Sequence, residues 1–290
     1  MARVRYKTRL APVLASSQHL PSLSYHLQQD SDSPTMLFAK LFLPLALAIL
    51  ARSAVLEARA TNTNLQTSFP ASTGTSALSA AKTIAAGATF DGAMKKFDRS
   101  VSTCNEQAEG GDADAVFVLE PGAVLSNVLI GPKNGEGVHC LGTCTLNNVW
   151  WLDVCEDAAT FKQSSGTSYV NGGGARSASD KILQHNGGGT VAVKNFYAAT
   201  FGKMYRSCGN CDTQHQRTST FTNVHVTDGG VIAGVNTNYG DKVTITNSCV
   251  LGTDLCYKFT GNSDGDEPVK TGSGADGKYC IASGIKTSDC

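Results

Sequence analysis

The chain has 290 residues, with 24 basic side chains, 24 acidic side chains and ten cysteines. Residues 1–60 hold seven of the basic and three of the acidic residues, so the rest of the chain carries 17 basic and 21 acidic residues, a formal net charge of −4. This balance leaves no basic stripe for phosphate groups and excludes nucleic acid as the expected partner. A chain of this length can bury one good hydrophobic core.

The N-terminal region, 1–60, is typical of a targeting segment. From Met36 the sequence has a basic residue, Lys40, then an apolar run over 41–50, and then small residues up to Ala60. That order is typical of a secretory signal with its cleavage site. We predict a signal peptide over 36–60 and a secreted, extracellular protein that has no membrane attachment after cleavage. Residues 1–35 are then a gene-model extension, with a signal anchor as the alternative.

The ten cysteines all follow this segment. An even number of cysteines in an exported chain predicts disulfides, although the sequence does not give their pairing. The spacings Cys208-x-x-Cys211 and Cys140-x-x-x-Cys144 leave zinc binding as an alternative.

Residues 61–82 are rich in Thr, Ser and Ala and are predicted to be a linker before a domain over 83–290. Apolar residues at 90, 94 and 97 then predict a short amphipathic helix over 91–100. The remainder has β-rich runs bounded by Gly, Asn or Asp, and no long helical pattern separates them, which argues against an alternating βαβ fold. The main runs are 116–119, 124–130, 145–151, 190–197, 219–226 and 242–250.

A recurring asparagine followed by an apolar or β-prone run predicts the architecture. The copies begin at Asn127, Asn148, Asn195, Asn223 and Asn247, and Asn171 lies near the middle of the one long gap. Repeats spaced by roughly 20 to 50 residues indicate stacked coils, here an all-β parallel β-helix whose asparagine amides bond from coil to coil. A β-sandwich with asparagine in its turns is the alternative.

Charged residues that could carry chemistry cluster in three stretches, 135–162, 172–186 and 202–211. The first stretch holds carboxylates, and the other two supply cations. Carboxylates that face cations suit a divalent metal and an anionic substrate. The acids are Glu136, Asp153, Glu156 and Asp157, and the cations are Lys181, Lys203 and Arg206.

The motifs EGVHC, WWLDVCEDA, DKILQHNG and GKMYRSCGNC resemble those of pectate lyases of polysaccharide lyase family 3. The resemblance runs from about Thr83 to Cys290. It implies a single-stranded right-handed parallel β-helix, bound Ca2+, and a monomer that acts on polygalacturonate, the de-esterified form of pectin. The implied reaction is β-elimination, which leaves 4,5-unsaturated products.

By position in these motifs, Glu136, Glu156 and Asp157 are the expected calcium ligands, and Asp153 is a weaker fourth. Since Glu156 and Asp157 are adjacent, both reach one ion only at a strand end or turn. The resemblance also implies that cations line the substrate cleft. These are Lys181, Lys203 and Arg206, and Lys162 is a further candidate for substrate binding.

The reaction needs a base that takes the proton from C5 of the uronate. A lysine in a cationic, partly desolvated site loses its proton more readily than an arginine does. This favours Lys181 as the base, with Arg206 as the alternative. His139 and His185 are expected to be hydrogen-bonded structural residues.

Two other functions fit parts of the same pattern. A polygalacturonase would use Asp153, Glu156 and Asp157 to deliver water and would not need Lys181 or Arg206. A β-helix without catalytic activity would bind pectin and release no product.

Overall fold

The computed structural model describes residues 61–290. It contains eighteen β-strands and two single-turn 3-10 helices, Asp112–Asp114 and Thr237–Tyr239. The strands are β1 (Thr75–Leu78), β2 (Lys82–Ile84), β3 (Thr89–Arg99), β4 (Ala115–Leu119), β5 (Val124–Ile130), β6 (Glu136–Cys140), β7 (Thr145–Trp151), β8 (Asp157–Phe161), β9 (Thr167–His185), β10 (Gly189–Lys194), β11 (Tyr197–Ser207), β12 (Arg217–Thr222), β13 (His225–Asn236), β14 (Lys242–Thr246), β15 (Cys249–Leu251), β16 (Asp254–Thr260), β17 (Val269–Ser273) and β18 (Cys280–Ser283). No helix in residues 61–290 has the length and apolar character needed to cross a bilayer.

The strands pair in parallel with those one coil further along the chain, apart from β17, which is antiparallel to β16. Along one side of the coils Leu125 pairs with Leu146, then come Val170 and Val193. The next coil is longer, and in it Val193 pairs with Phe221. The sequence separations between these paired residues follow the spacing of the asparagines. The fold is the predicted right-handed parallel β-helix, and the prediction of its class is confirmed.

The core is a set of side-chain rows that run along the inside of the coils. The row that begins at Leu125 continues through Phe221 to Ile245, and all its members are buried. Each such side chain contributes about 1.5–3 kcal/mol through its burial. Trp150 and Trp151 are also both buried, so neither offers a face to a sugar.

The recurring asparagines lie at one corner of the coils. All five of the predicted ladder positions, 127, 148, 195, 223 and 247, have left-handed backbones with φ between 50° and 57°. Asparagine tolerates this conformation better than most residues. The amide of Asn148 donates to Asn127 Oδ1 over 2.9 Å, and that of Asn223 donates to Asn195 Oδ1 over 2.7 Å. The ladder is therefore real but has two separate parts.

Two local predictions are wrong because of these corners. Asn171 is not in the ladder: it bonds to Asn147, and Gly172 occupies the left-handed corner with φ of 68°. Residues 91–100, predicted as a helix, lie in the strand β3 up to Arg99. The strand is irregular between Asp91 and Lys95. This irregularity changes the alternation of side chains, so Phe90 and Phe97 pack together at 5.7 Å between ring centroids and imitate helical spacing.

Residues 61–82, which the sequence indicated to be a linker, pack on the coils. The strand β1 pairs with β3. Phe69 lies against Trp150, with ring centroids 5.2 Å apart, and Thr63 O accepts a bond from Asn195 Nδ2 over 2.8 Å. The predicted extension over 1–35 and signal peptide over 36–60 lie outside the described residues.

All ten cysteines are paired in disulfides. Both spacings that suggested zinc are closed by an S–S bond within the motif, so the zinc alternative is wrong for them. The pairs are Cys104–Cys155, Cys140–Cys144, Cys208–Cys211, Cys249–Cys290 and Cys256–Cys280.

Candidate active site

The acidic part of the site forms where two neighbouring strands begin. Glu136 is the first residue of β6 and Asp157 the first residue of β8, and the two are Cα partners in the sheet. Glu156 precedes β8, outside the regular alternation of a strand. Glu156 and Asp157 therefore both reach Lys181 Nζ, at 2.7 and 3.5 Å respectively. All three carboxylates are buried.

The acidic group has two buried oxygens that receive no hydrogen bond. Glu156 Oε2 and Asp157 Oδ1 are buried and accept no hydrogen bond. Burial raises the pKa of Asp157 well above its usual range, and the neighbouring charge of Glu156 adds to that effect, while Lys181 opposes it. Buried carboxylate oxygens without donors are costly, and a hard divalent cation relieves that cost. The residues present therefore fit a calcium ion.

A fourth carboxylate, Glu109, was missed by the sequence analysis. Oxygens of Glu109, Glu136 and Glu156 all lie within 4.8 Å of one another. Burial raises the pKa of Glu109, and the charge of Glu156 raises it further. Glu109 belongs to a loop between β3 and β4, far from the other acids in sequence.

Disulfide and hydrogen bonds hold this loop against the acids. Cys104 in the loop is bonded to Cys155, the residue before Glu156. Gly110 N donates to Glu136 Oε1 over 2.8 Å, and Gln107 Nε2 donates to Cys155 O over 2.6 Å. The pairing of Cys104 with Cys155 is the one signal that would place Glu109 near the other acids. The sequence alone does not give this pairing.

A carboxylate of the same loop also binds Lys162. Asp112 accepts a bond from Lys162 Nζ over 2.8 Å and lies 2.6 Å from His139 Nδ1. The other ring nitrogen of His139 is 2.9 Å from Glu136 Oε2. Hydrogen bonding to Lys162 and then to His139 lowers the pKa of Asp112. Both ring nitrogens of His139 thus lie at hydrogen-bond distance from carboxylates, and Lys162 is engaged by the loop.

The cations lie on the next coils, beside the acids. Lys181 of β9 and Lys203 of β11 are Cα partners, and both bind Asp180. Burial opposes the charge of Lys181, but the negative charge of Asp157 and the hydrogen bonds with Asp180 and Glu156 outweigh it and raise its pKa. The premise that Lys181 sits among cations is therefore wrong, because its nearest charged neighbours are carboxylates.

Arg206 completes the cleft. Its side chain is buried and its guanidinium lies over the ring of Phe259, with Cζ 4.1 Å from the centroid. Burial lowers the pKa of Arg206 to about 10, so it keeps its positive charge at neutral pH. Lys203 and Arg206 both line the cleft although they are three residues apart. Glu109, Glu267 and Pro268 form other parts of the wall.

Comparison with known proteins decides the family. A family model described as pectate lyase matches residues 66–266, more than two thirds of the chain. The chain belongs to the pectate lyase family. Two fungal relatives of this pectate lyase are probable pectate lyase E of Neosartorya fischeri, 48% identical, and pectate lyase E of Emericella nidulans, 47% identical. The matches cover 71% and 73% of this chain, and 81% and 83% of the relatives.

Solved bacterial structures share the fold. The catalytic domain of pectate lyase PelI from Erwinia chrysanthemi is 34% identical, with a TM-score of 0.56 over 69% of this chain and 97% of that domain. PelI has also been solved in complex with tetragalacturonic acid, and that structure aligns with a TM-score of 0.55 at 34% identity over 70% of this chain and 71% of that one. Pel3 from Pectobacterium carotovorum aligns with a TM-score of 0.61 at 30% identity, over 71% of this chain and 67% of that one.

The fold of this pectate lyase brings most of the predicted site residues together. Glu136, Glu156 and Asp157 meet in one group, and the predicted cations Lys181, Lys203 and Arg206 line the adjoining cleft. Asp153 is exposed and does not join the acids. His185 is buried, lies 2.8 Å from Tyr205 Oη and contacts Gly188 O at 3.1 Å. Burial lowers its pKa to about 3, which keeps it neutral.

Proposed function

We propose that this pectate lyase is a secreted, calcium-dependent enzyme that cleaves polygalacturonate by β-elimination. The observation that carries the proposal is that buried carboxylates, two of whose oxygens accept no hydrogen bond, adjoin a cleft lined by three cations. Five disulfides suit an extracellular enzyme. We propose that it acts as a monomer. The solved complex of PelI with tetragalacturonic acid supports the choice of substrate.

Glu109, Glu136, Glu156 and Asp157 are the residues that would hold the calcium ion. Their oxygens are hard ligands of the kind calcium takes, and two of these oxygens, Glu156 Oε2 and Asp157 Oδ1, accept no hydrogen bond. A bound calcium ion would polarise the uronate carboxylate and stabilise the negative charge that develops beside it when C5 loses its proton.

Arg206 and Lys203 would bind and orient the uronate carboxylates. The guanidinium of Arg206 offers several N–H donors in a plane that matches a carboxylate. Because Arg206 remains charged at neutral pH, it suits binding better than proton transfer. Lys203 supplies a second, more exposed cation on the same side of the cleft.

Lys181 is proposed as the base that takes the C5 proton. The electrons of the C5–H bond form the C4–C5 double bond. The C4–O4 bond breaks, and the leaving oxygen keeps the electron pair of the C4–O4 bond and takes a proton from solvent. Lys181 must be neutral to begin this step, whereas Asp157, Glu156 and Asp180 stabilise its charged form. The amine can therefore act once those carboxylates have another cation to bind, which links the base to the acidic group.

A hydrolase or a binding protein would behave differently. A polygalacturonase would rely on Asp153, which is exposed and separate from Glu156 and Asp157. Both of those carboxylates are engaged by Lys181 rather than facing each other across a space for water. No contact among the described residues favours hydrolysis over elimination.

The test uses the full chain recovered from a secreting host. Polygalacturonate is added with calcium or with a chelator, and the ultraviolet absorbance of the unsaturated product is followed. Absorbance that grows with calcium and stops with chelator is the expected result. New reducing ends without absorbance would mean a hydrolase, and neither signal from a folded protein would mean a binding protein.

A further inference from the structure

Arg206 differs from the other two cleft cations in its partners. Lys181 and Lys203 each contact carboxylates, but no carboxylate within residues 61–290 lies at ion-pair distance from Arg206. Arg206 Nη1 instead donates to Asn236 Oδ1 over 3.0 Å, and its guanidinium lies on Phe259. Both partners are uncharged. They fix the guanidinium without neutralising it.

Asn236 is held so that its oxygen faces Arg206. The side chain is fully buried. Its Nδ2 donates to Cys208 O over 2.9 Å and lies 3.4 Å from Ser207 O, two acceptors that only the nitrogen end of the amide can satisfy. The oxygen end is thereby directed at the guanidinium.

A second buried group fixes the backbone of Asn236. Asp241 Oδ2 accepts from Asn236 N over 3.0 Å, and Asp241 Oδ1 accepts from Arg217 N over 2.9 Å. The guanidinium of Arg217 in turn donates to Cys208 O over 3.1 Å. Asn236, Asp241 and Arg217 are all fully buried, so this chain of contacts is closed to solvent.

The neighbouring backbone leaves space for Arg206 to lie across the next coil. Its Cα partner on β13 is Gly234, where an added Cβ would come within 2.8 Å of Arg206 Cδ. A Cβ added at Gly209 would come closer still to Arg206 Nη2, at the other end of the side chain. Two glycines, an aromatic ring and an amide therefore surround one arginine.

We propose that Asn236 is a positioning residue that aims Arg206 at a uronate carboxylate of the substrate. The inference rests on the proposed function, in which Arg206 binds that carboxylate. Asn236 uses one guanidinium nitrogen and leaves donors on the others for a paired contact with the carboxylate. Without Asn236, the guanidinium can turn towards Glu267, whose charge acts on Arg206 and which borders the same cleft.

The test is a double-mutant cycle on the full chain carrying Lys181→Ala to prevent turnover, in saturating calcium, with tetragalacturonate affinity measured by calorimetry. Asn236→Ala is expected to weaken binding about tenfold, the effect of one charge-assisted hydrogen bond. Arg206→Ala is expected to weaken it at least as much, and the double variant no further. Turnover of Asn236→Ala, measured with Lys181 intact, is expected to show a raised KM with a smaller change in kcat.

Asn238→Ala is the matched control, since Asn238 lies in the same turn but bonds to the backbone of Gly261. It should bind tetragalacturonate as the native protein does. Additive losses in the double variant, or native affinity in Asn236→Ala, would overturn the proposal. If Asn236→Ala does not fold, Asn236→Asp keeps the shape of the side chain but places a negative charge beside the guanidinium of Arg206. That variant is expected to bind weakly, and native affinity in it would also overturn the proposal.

The two proposals fail in different ways. A native protein that binds tetragalacturonate but forms no unsaturated product would refute the lyase function, while the cycle would still measure the coupling of Asn236 with Arg206. An active native lyase with an additive cycle would refute only the role of Asn236. A native protein that does not bind tetragalacturonate would refute both.

Discussion

Glu136 and Asp157 occupy the same place on adjacent coils of the β-helix, as the first residues of β6 and β8. The coil-to-coil register that stacks the core also stacks these two carboxylates. Like charges on neighbouring strands repel each other. Lys181 offsets part of that repulsion, and a calcium ion would offset more.

The Glu109→Gln substitution tests the loop-borne ligand. We expect calcium affinity to fall by about tenfold, because one of the four proposed carboxylate ligands becomes neutral. Calorimetric titration with calcium measures this without substrate. Glu106→Gln, an exposed residue in the same loop, is the control and should leave the affinity unchanged. Equal calcium affinities for native protein and Glu109→Gln would remove Glu109 from the site.

The Cys104–Cys155 disulfide should be needed to hold that loop. Replacing both cysteines with serine is expected to lower calcium affinity as Glu109→Gln does, and to cost about 2–4 kcal/mol of stability. The matched control replaces Cys249 and Cys290, whose disulfide ties the C-terminus. It should lower the melting temperature while calcium affinity stays native. Loss of calcium binding in the control alone would contradict the proposed anchoring.

Lys181→Ala tests the base. We expect turnover of polygalacturonate to fall by about 10²–10⁴-fold or more, as is usual when an acid–base group is removed. Calcium affinity should be kept or increased, since Glu156 and Asp157 lose a competing cation. Lys194→Ala, at an exposed lysine on β10, is the control for both measurements. A variant that retains near-native turnover would show that Lys181 is not the base.

The buried His185 predicts a loss of stability in acid. Its pKa is about 3 in the folded protein and near 6.5 when unfolded, so the unfolded chain takes up the proton first. The stability that neutral His185 contributes is complete above pH 6.5 and falls as the pH drops towards 3. At pH 4.5 the loss is about 3 kcal/mol relative to neutral pH.

His185→Gln should remove this part of the pH dependence. Denaturant unfolding of both proteins at pH 7 and pH 4.5 measures it, with the difference between the two pH values as the readout. The variant will be less stable at pH 7 because it loses contacts with Tyr205 and Gly188. An identical drop in stability between the two pH values in both proteins would contradict the assignment to His185.

The fold was predictable because the residues at its corners form a pattern in the sequence. Asparagine recurs at the left-handed corner of most coils, and its spacing follows the strand register. The same corners caused the errors. Runs such as 190–197 contain an asparagine corner and are two strands, β10 and β11, rather than one. At Gly172 the corner has no side-chain amide, and the neighbouring Asn171 imitates a ladder position in the sequence.

The site was predictable only as far as its residues lie in the motifs. Glu136, Glu156 and Asp157 belong to them, but Glu109 reaches the group through a disulfide whose pairing no spacing reveals. The surroundings of Lys181 were also hidden. They depend on which acids of neighbouring coils share its side of the strand, and register alone determines that.

The long coil between β10 and β12 has a practical consequence. Its additional residues fall in 208–216, after β11 and before β12, where Gly209 and Asn210 line the cleft. The rows of buried side chains on either side keep their pairing. The length of the cleft wall can therefore change while the interior stays the same. An engineer could alter which pectin chains fit by changing exposed residues of this segment such as Asp212 and Thr213, and keep Cys208, whose carbonyl accepts from Asn236 and Arg217.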